Sequence, residues 1–158
     1  MHKINIKRIY DKPFKTDGVR ILVDRLWPRG ISKDKAKLDF WEKEIAPSSE
    51  LRVWFGHKPE RFEEFAKKYR EELTLHLDKI KKIKKVLNSH NITLLYAAKD
   101  TKNNQAIILK DFIENIKSGA KDAKLELLCK IFIDKLTSES ILYIDFALSE
   151  YQKIKNVA

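Results

Sequence analysis

Asp24-Arg25-Leu26-Trp27-Pro28-Arg29-Gly30 places a carboxylate, two guanidinium groups and an indole within one short turn. Arg25 and Arg29 offer planar forks that grip a carboxylate or phosphate through paired hydrogen bonds, and Trp27 offers a face for a base, a ring or a guanidinium. Pro28 and Gly30 shape the backbone between them. A second charged run, Lys99-Asp100-Thr101-Lys102-Asn103-Asn104, directly precedes a helical pattern. Free amides and the helix dipole favour an anion at such a place, although Thr101, Asn103 or Asn104 could serve there only as a cap. The chemistry these residue types support is capture of a small anion by Arg25, Arg29 and Lys99 with stacking on Trp27, and Asp24, Asp100 or His57 in acid–base work. Arg20, Trp54, Tyr96, Asn103 and Asn104 complete the candidate binding set. A plainer alternative has Asp24 paired with Arg25 or Arg20 and Trp27 merely plugging the end of a sheet.

His57 follows Trp54-Phe55-Gly56 and precedes Pro59, so it either brings a titratable imidazole to the site or only opens a helix. His76 and His90 fall in a lysine-rich helix and a turn, and read as surface residues. No HxxxH pair, P-loop, GxGxxG or nucleophile elbow occurs, and four glycines leave little material for a phosphate-cradling loop. The single cysteine, Cys129, allows neither an internal disulfide nor a thiolate cluster, and reads as a packed thiol. No metal site is predicted, and no cofactor is specified.

These groups need a scaffold. Ile4 to Ile9 alternates apolar and polar residues, as a half-buried strand does. Val19 to Asp24 and Ile92 to Ala98 are nearly continuous apolar runs, suited to strands buried on both faces of a sheet and lying side by side or nearly so. Between them the chain reads as helical, starting at Ser32 and again at Pro47-Ser48-Ser49-Glu50. After Pro59, apolar residues recur at three- and four-residue steps from Phe62 to Leu87, forming one long helix or two joined near Thr74. Asn104 to Lys117 repeats the helical period and closes at Ser118-Gly119. Strand, long helices, strand, helix is the order of a parallel crossover, which puts both charged segments at carboxyl ends of strands, where open α/β sheets bind ligands. The expected fold is α/β: a three-layer Rossmann-like or flavodoxin-like domain over residues 1–118 with a small, mostly parallel sheet. Residues 119–158 read as a mainly helical extension, packed on that domain or on a partner subunit, although Ile141 to Ile144 could be an added strand.

Composition bounds the partners. A chain of 158 residues fits one core, and 43% apolar residues suffice to build it. The net charge is +10, yet residues 119–158 carry six lysines and six acids, so the whole excess falls on residues 1–118. Such an excess favours phosphate ligands, nucleic acid or acidic lipid, or reflects a lysine-rich proteome and no partner at all. No stretch approaches the ~18 consecutive apolar residues of a membrane span, and the N-terminus lacks a signal-peptide core, so the expected location is cytoplasmic.

Ile6 to Asp11, Gly18 to Lys33, Ala46-Pro47-Ser48, Leu51 to His57 and Thr93 to Asp100 resemble the YeaO-like branch of a bacterial and archaeal domain-of-unknown-function family. The resemblance covers residues 4 to about 117 and implies a compact α/β domain; it brings no reaction with it. A sister branch implied by the resemblance carries a cysteine on the later strand and a Cys-His-Arg group at the following helix. This chain has Tyr96 or its neighbours and Asn103-Asn104-Gln105 at those places, so any thiol chemistry is lost. The resemblance also implies a His in many YeaO-like relatives where Asn103 stands, which removes a candidate acid or base.

Three functions follow in order: a binding or enzymatic domain for a small anionic or nucleotide-like molecule, a nucleic-acid module using the lysines of residues 79–85 with Trp27 or Trp54 stacking a base, and an oligomeric accessory protein joined through residues 119–158.

Overall fold

The computed structural model describes residues 2–116. The predictions for residues 117–158, including the Ser118-Gly119 cap, Cys129 and the extension, lie outside the described residues. Four strands, β1 (Ile4–Arg8), β2 (Val19–Leu22), β3 (Phe40–Trp41) and β4 (Ile92–Tyr96), form one sheet in the order β1-β4-β2-β3. Every neighbouring pair is parallel, with Val19 opposite Ile92 and Leu22 opposite Leu95 at the centre. The two continuous apolar runs are therefore adjacent, as expected, and each is buried on both faces. The fold is α/β.

Side-chain alternation along these strands sorts the core into two parts. Ile21, Val23, Ile92, Leu94 and Tyr96 pack with α2 (Ser49–Phe55), α3 (Phe62–Thr74), α4 (Leu77–Leu87) and α5 (Gln105–Asn115). Leu22 and Leu95 face the other way, into a smaller cluster with Ile9, Ala36 and the half-buried Trp27 and Leu38. One face thus carries a thick helical layer. The other is covered by the single-turn α1 (Lys33–Ala36) and its flanking chain.

Local signals explain the helix starts. The Ser32 hydroxyl accepts from the Lys35 amide, Ser48 accepts from Leu51, and the Asn104 side chain accepts from Ala106 and Ile107, each capping its helix. The pattern after Pro59 resolves into two helices: at Leu75 and His76 the amides bond three residues back, to Glu72 and Leu73, and the tightened turn ends α3. The segment after Ser32 departs from its helical reading. Lys37 takes a left-handed conformation (φ 46°) that stops α1 after one turn, and Phe40–Trp41 then pairs with β2 as an edge strand too short to leave a periodic signature. Gly18 is required where it stands: its φ is 65°, and a Cβ would come within 2.1 Å of the Asn91 carbonyl oxygen that receives the Val19 amide.

Candidate functional site

A cleft of about 920 Å³ opens at the carboxyl ends of β2 and β4. The chain leaving β2 supplies Asp24 to Pro28, α2 supplies Ser49, Arg52 and Val53, and the chain from β4 into α5 supplies Ala97 to Asp100 with Asn104 and Gln105. Of the predicted residues, Asp24, Arg25, Trp27, His57, Lys99, Asp100 and Asn104 line this one cleft. Arg20, Arg29, Trp54, Tyr96 and Asn103 do not.

Asp24 sits just past the end of β2 and is held from several sides. Its Oδ2 accepts the Ala97 amide at 2.9 Å, its Oδ1 accepts from the Gln105 side-chain amide, and its backbone carbonyl accepts from Trp41 Nε1 at 2.7 Å. Burial pushes its carboxyl up to about 6, although the Ala97 and Gln105 hydrogen bonds and the Arg52 charge pull the other way. A carboxyl that titrates near neutrality in a cleft is suited to proton transfer. Both of its oxygens are nevertheless engaged by the protein.

The cations divide into two kinds. Arg25 Nε donates to the Pro47 carbonyl at 2.8 Å and its Nη2 to the Ala46 carbonyl at 2.9 Å, so its fork grips the chain entering α2. Arg52 and Lys99 are exposed, and among the described residues their side chains make no hydrogen bond or salt bridge. His57 is exposed in a left-handed conformation (φ 55°) directly after the Gly56 cap of α2, its ring 5.8 Å from that of Phe55. Asp100 folds back on its own loop: Oδ1 accepts the amides of Lys102 and Asn103, and Oδ2 accepts Asn103 Nδ2 at 2.8 Å. The Asn103 side-chain and backbone bonds, with that from Lys102, hold its carboxyl below the usual carboxylate range. Asn104 caps α5 and donates to the Asp100 carbonyl.

The residues outside the cleft have other work. Arg20 is buried at the far end of β2, bonded to Asp17 and to the Ala36 and Lys37 carbonyls. Arg29 is exposed and its carbonyl accepts from Tyr10 Oη. Tyr96 belongs to the core. Asn103 orders the Asp100 loop. Arg61 and Lys68 lie over the Trp54 ring at 5.4 and 4.2 Å, covering a face that a base would need. Trp27 lines the cleft, yet its Nε1 donates to the Ile31 carbonyl and its ring meets Trp41 edge-on at 5.4 Å. Among the described residues, no three His, Cys, Asp or Glu side chains gather as metal ligands. No helix there is long and apolar enough to cross a membrane.

Residues 3–131 match the family described as "Inactive DUF488-N3 subclade". The chain belongs to that family. It is 43% identical over 113 residues to the Uncharacterized protein YeaO of Escherichia coli, covering 72% of this chain and 98% of that protein. The Uncharacterized proteins Mb3100c of Mycobacterium bovis and Rv3073c of Mycobacterium tuberculosis are each 51% identical over 71 residues, covering 45% of this chain and 60% of theirs. No solved structure matches the chain. The YeaO-like identification is thereby established, and with it the DUF488-N3 subclade.

Two residues of this family member escaped the sequence reading. Gln105, the first residue of α5, anchors Asp24, and Arg52 supplies an exposed cleft cation. Helical spacing does put Ser49, Arg52 and Val53 on one face of α2. Nothing local identifies that face as the one turned to the cleft.

Proposed function

We propose that the cleft binds a small anionic or nucleotide-like ligand and holds it without chemical change. The observation that carries this reading is the convergence of Arg52 and Lys99 on one concave site beside the N-terminus of α5, whose dipole adds partial positive charge. Arg25 contributes field there while its hydrogen bonds serve the fold. Binding is favoured over catalysis because Asp24 and Asp100 spend both carboxylate oxygens on protein donors, which leaves His57 without a carboxylate partner among the described residues. The family description, "Inactive", weighs the same way.

A nucleic-acid module has weaker support. Lys79 pairs with Glu44, Lys84 donates to the Ile116 carbonyl, and the Trp54 face is covered, so the lysine run of α4 offers neither a full row of phosphate contacts nor a stacking platform. An oligomeric role rests on residues 119–158, which lie outside the described residues.

Calorimetric titration of the full chain with inorganic phosphate and with adenosine monophosphate at low salt tests the proposal. Binding that weakens as salt is added, and is lost in an Arg52→Ala/Lys99→Ala double variant with unchanged melting, is the expected result. Absence of binding to either anion at low salt, or an unaltered affinity in the double variant, rejects it.

A further inference from the structure

The cleft is much larger than an inorganic anion and is chemically divided. Val23, Phe55 and Phe65 lie at its base but are 0%, 4% and 2% exposed, while Arg52 and Lys99 contribute its exposed charge. Leu26 and Val53 also line it, and at 63% and 82% exposed they are the two most exposed large apolar side chains among the described residues. One exposed leucine or valine is ordinary on a protein surface. Two that border the same basic cleft, with Val53 next in sequence to Arg52, offer exposed apolar surface beside its charge.

We infer that the ligand is an organic anion with a ring-sized apolar body, its charge met by Arg52 and Lys99 and its body covered by Leu26 and Val53. The inference rests on the anion-binding reading above and deepens it. An inorganic anion held by Arg52 and Lys99 would leave Leu26 and Val53 wet, whereas a ring seated against them is removed from water together with both side chains. Pockets of several hundred Å³ with apolar walls and a few polar groups suit ligands of this kind, the polar groups fixing orientation and the walls supplying affinity.

The test compares inorganic phosphate with phenyl phosphate, titrated into the full chain at one pH and ionic strength, for the parent and a Leu26→Ser/Val53→Ser variant. Both substitutions fall on exposed side chains and preserve charge, so folding and the electrostatic attraction are retained. Phenyl phosphate should bind the parent on the order of tenfold more tightly than phosphate, by burial of the ring. The double variant should lose most of that advantage and keep its phosphate affinity. If phenyl phosphate binds no better than phosphate, or if its advantage survives in the variant, this inference fails while the anion site stands. If neither compound binds, the anion-binding reading fails and this one with it.

Discussion

Asp24, at the end of β2, and Gln105, at the start of α5, are joined carboxylate to amide across 81 residues of sequence. With the Ala97 amide on its other oxygen, Asp24 ties the chain leaving β2 to the chain leaving β4, and these are the two segments that make the cleft. Its half-buried carboxyl therefore reports on the site as well as on the fold.

The pH dependence of stability should reveal that burial. Because the Asp24 carboxyl is raised from 3.8 to about 6, the folded chain keeps a proton that the unfolded chain releases between those values. Stability contributed through this group is thus lost as pH rises through that window, and its ionisation costs on the order of 3 kcal/mol above it. In Asp24→Asn the titration is gone, and Gln105 can turn its carbonyl to the new amide. Melting temperature of the variant minus that of the parent should climb from pH 4 to 6 and level off beyond. A difference that does not vary with pH would mean that Asp24 titrates like an exposed carboxylate.

Arg25 and Arg52 line the same cleft and should respond oppositely to mutation. Arg25→Lys replaces a fork that spans the Ala46 and Pro47 carbonyls with a point charge, and should destabilise by about 2 kcal/mol. Arg52→Ala should stay within about 0.5 kcal/mol of the parent while weakening anion binding. Urea unfolding of both variants decides this; a neutral Arg25→Lys would overturn the clamp assigned to Arg25.

Gly18→Ala should destabilise by about 2–4 kcal/mol, since the methyl meets the Asn91 carbonyl and the positive φ disfavours any side chain. Anion binding by the folded fraction should be retained, because Gly18 lies at the opposite end of β2 from the cleft. A melting temperature near the parent's would show that this turn relaxes without strain.

Much of this architecture was legible because it is encoded within a few residues. Ser32, Ser48 and Asn104 each satisfy amides two or three positions away, so these three helix starts left local signals, the last of them shared with Thr101 and Asn103 as alternative caps. Val19–Leu22 and Ile92–Tyr96 announced themselves as central strands because burial on both faces demands continuous apolar residues. Phe40–Trp41 did not, since two exposed residues on an edge leave no pattern. The α3–α4 junction could be narrowed only to the region of Thr74, where no glycine or proline marks the break.

The site divides along the same line. Its place at the strand ends, and the gathering there of Asp24, Arg25, Trp27, Lys99, Asp100 and Asn104, followed from a parallel α/β sheet that the sequence by itself determined, whereas His57 could be read either as a site residue or as a helix entry. What each group does was decided only by tertiary structure. Arg25 and Arg29 look equivalent on paper, yet one grips carbonyls 21 and 22 residues away while the other stands outside the cleft. Arg52 and Gln105 enter the site only because α2 and α5 turn those faces toward it. Residue type sets which hydrogen bonds and charges a side chain can offer; packing of distant segments sets which partners reach it and which groups remain for a ligand.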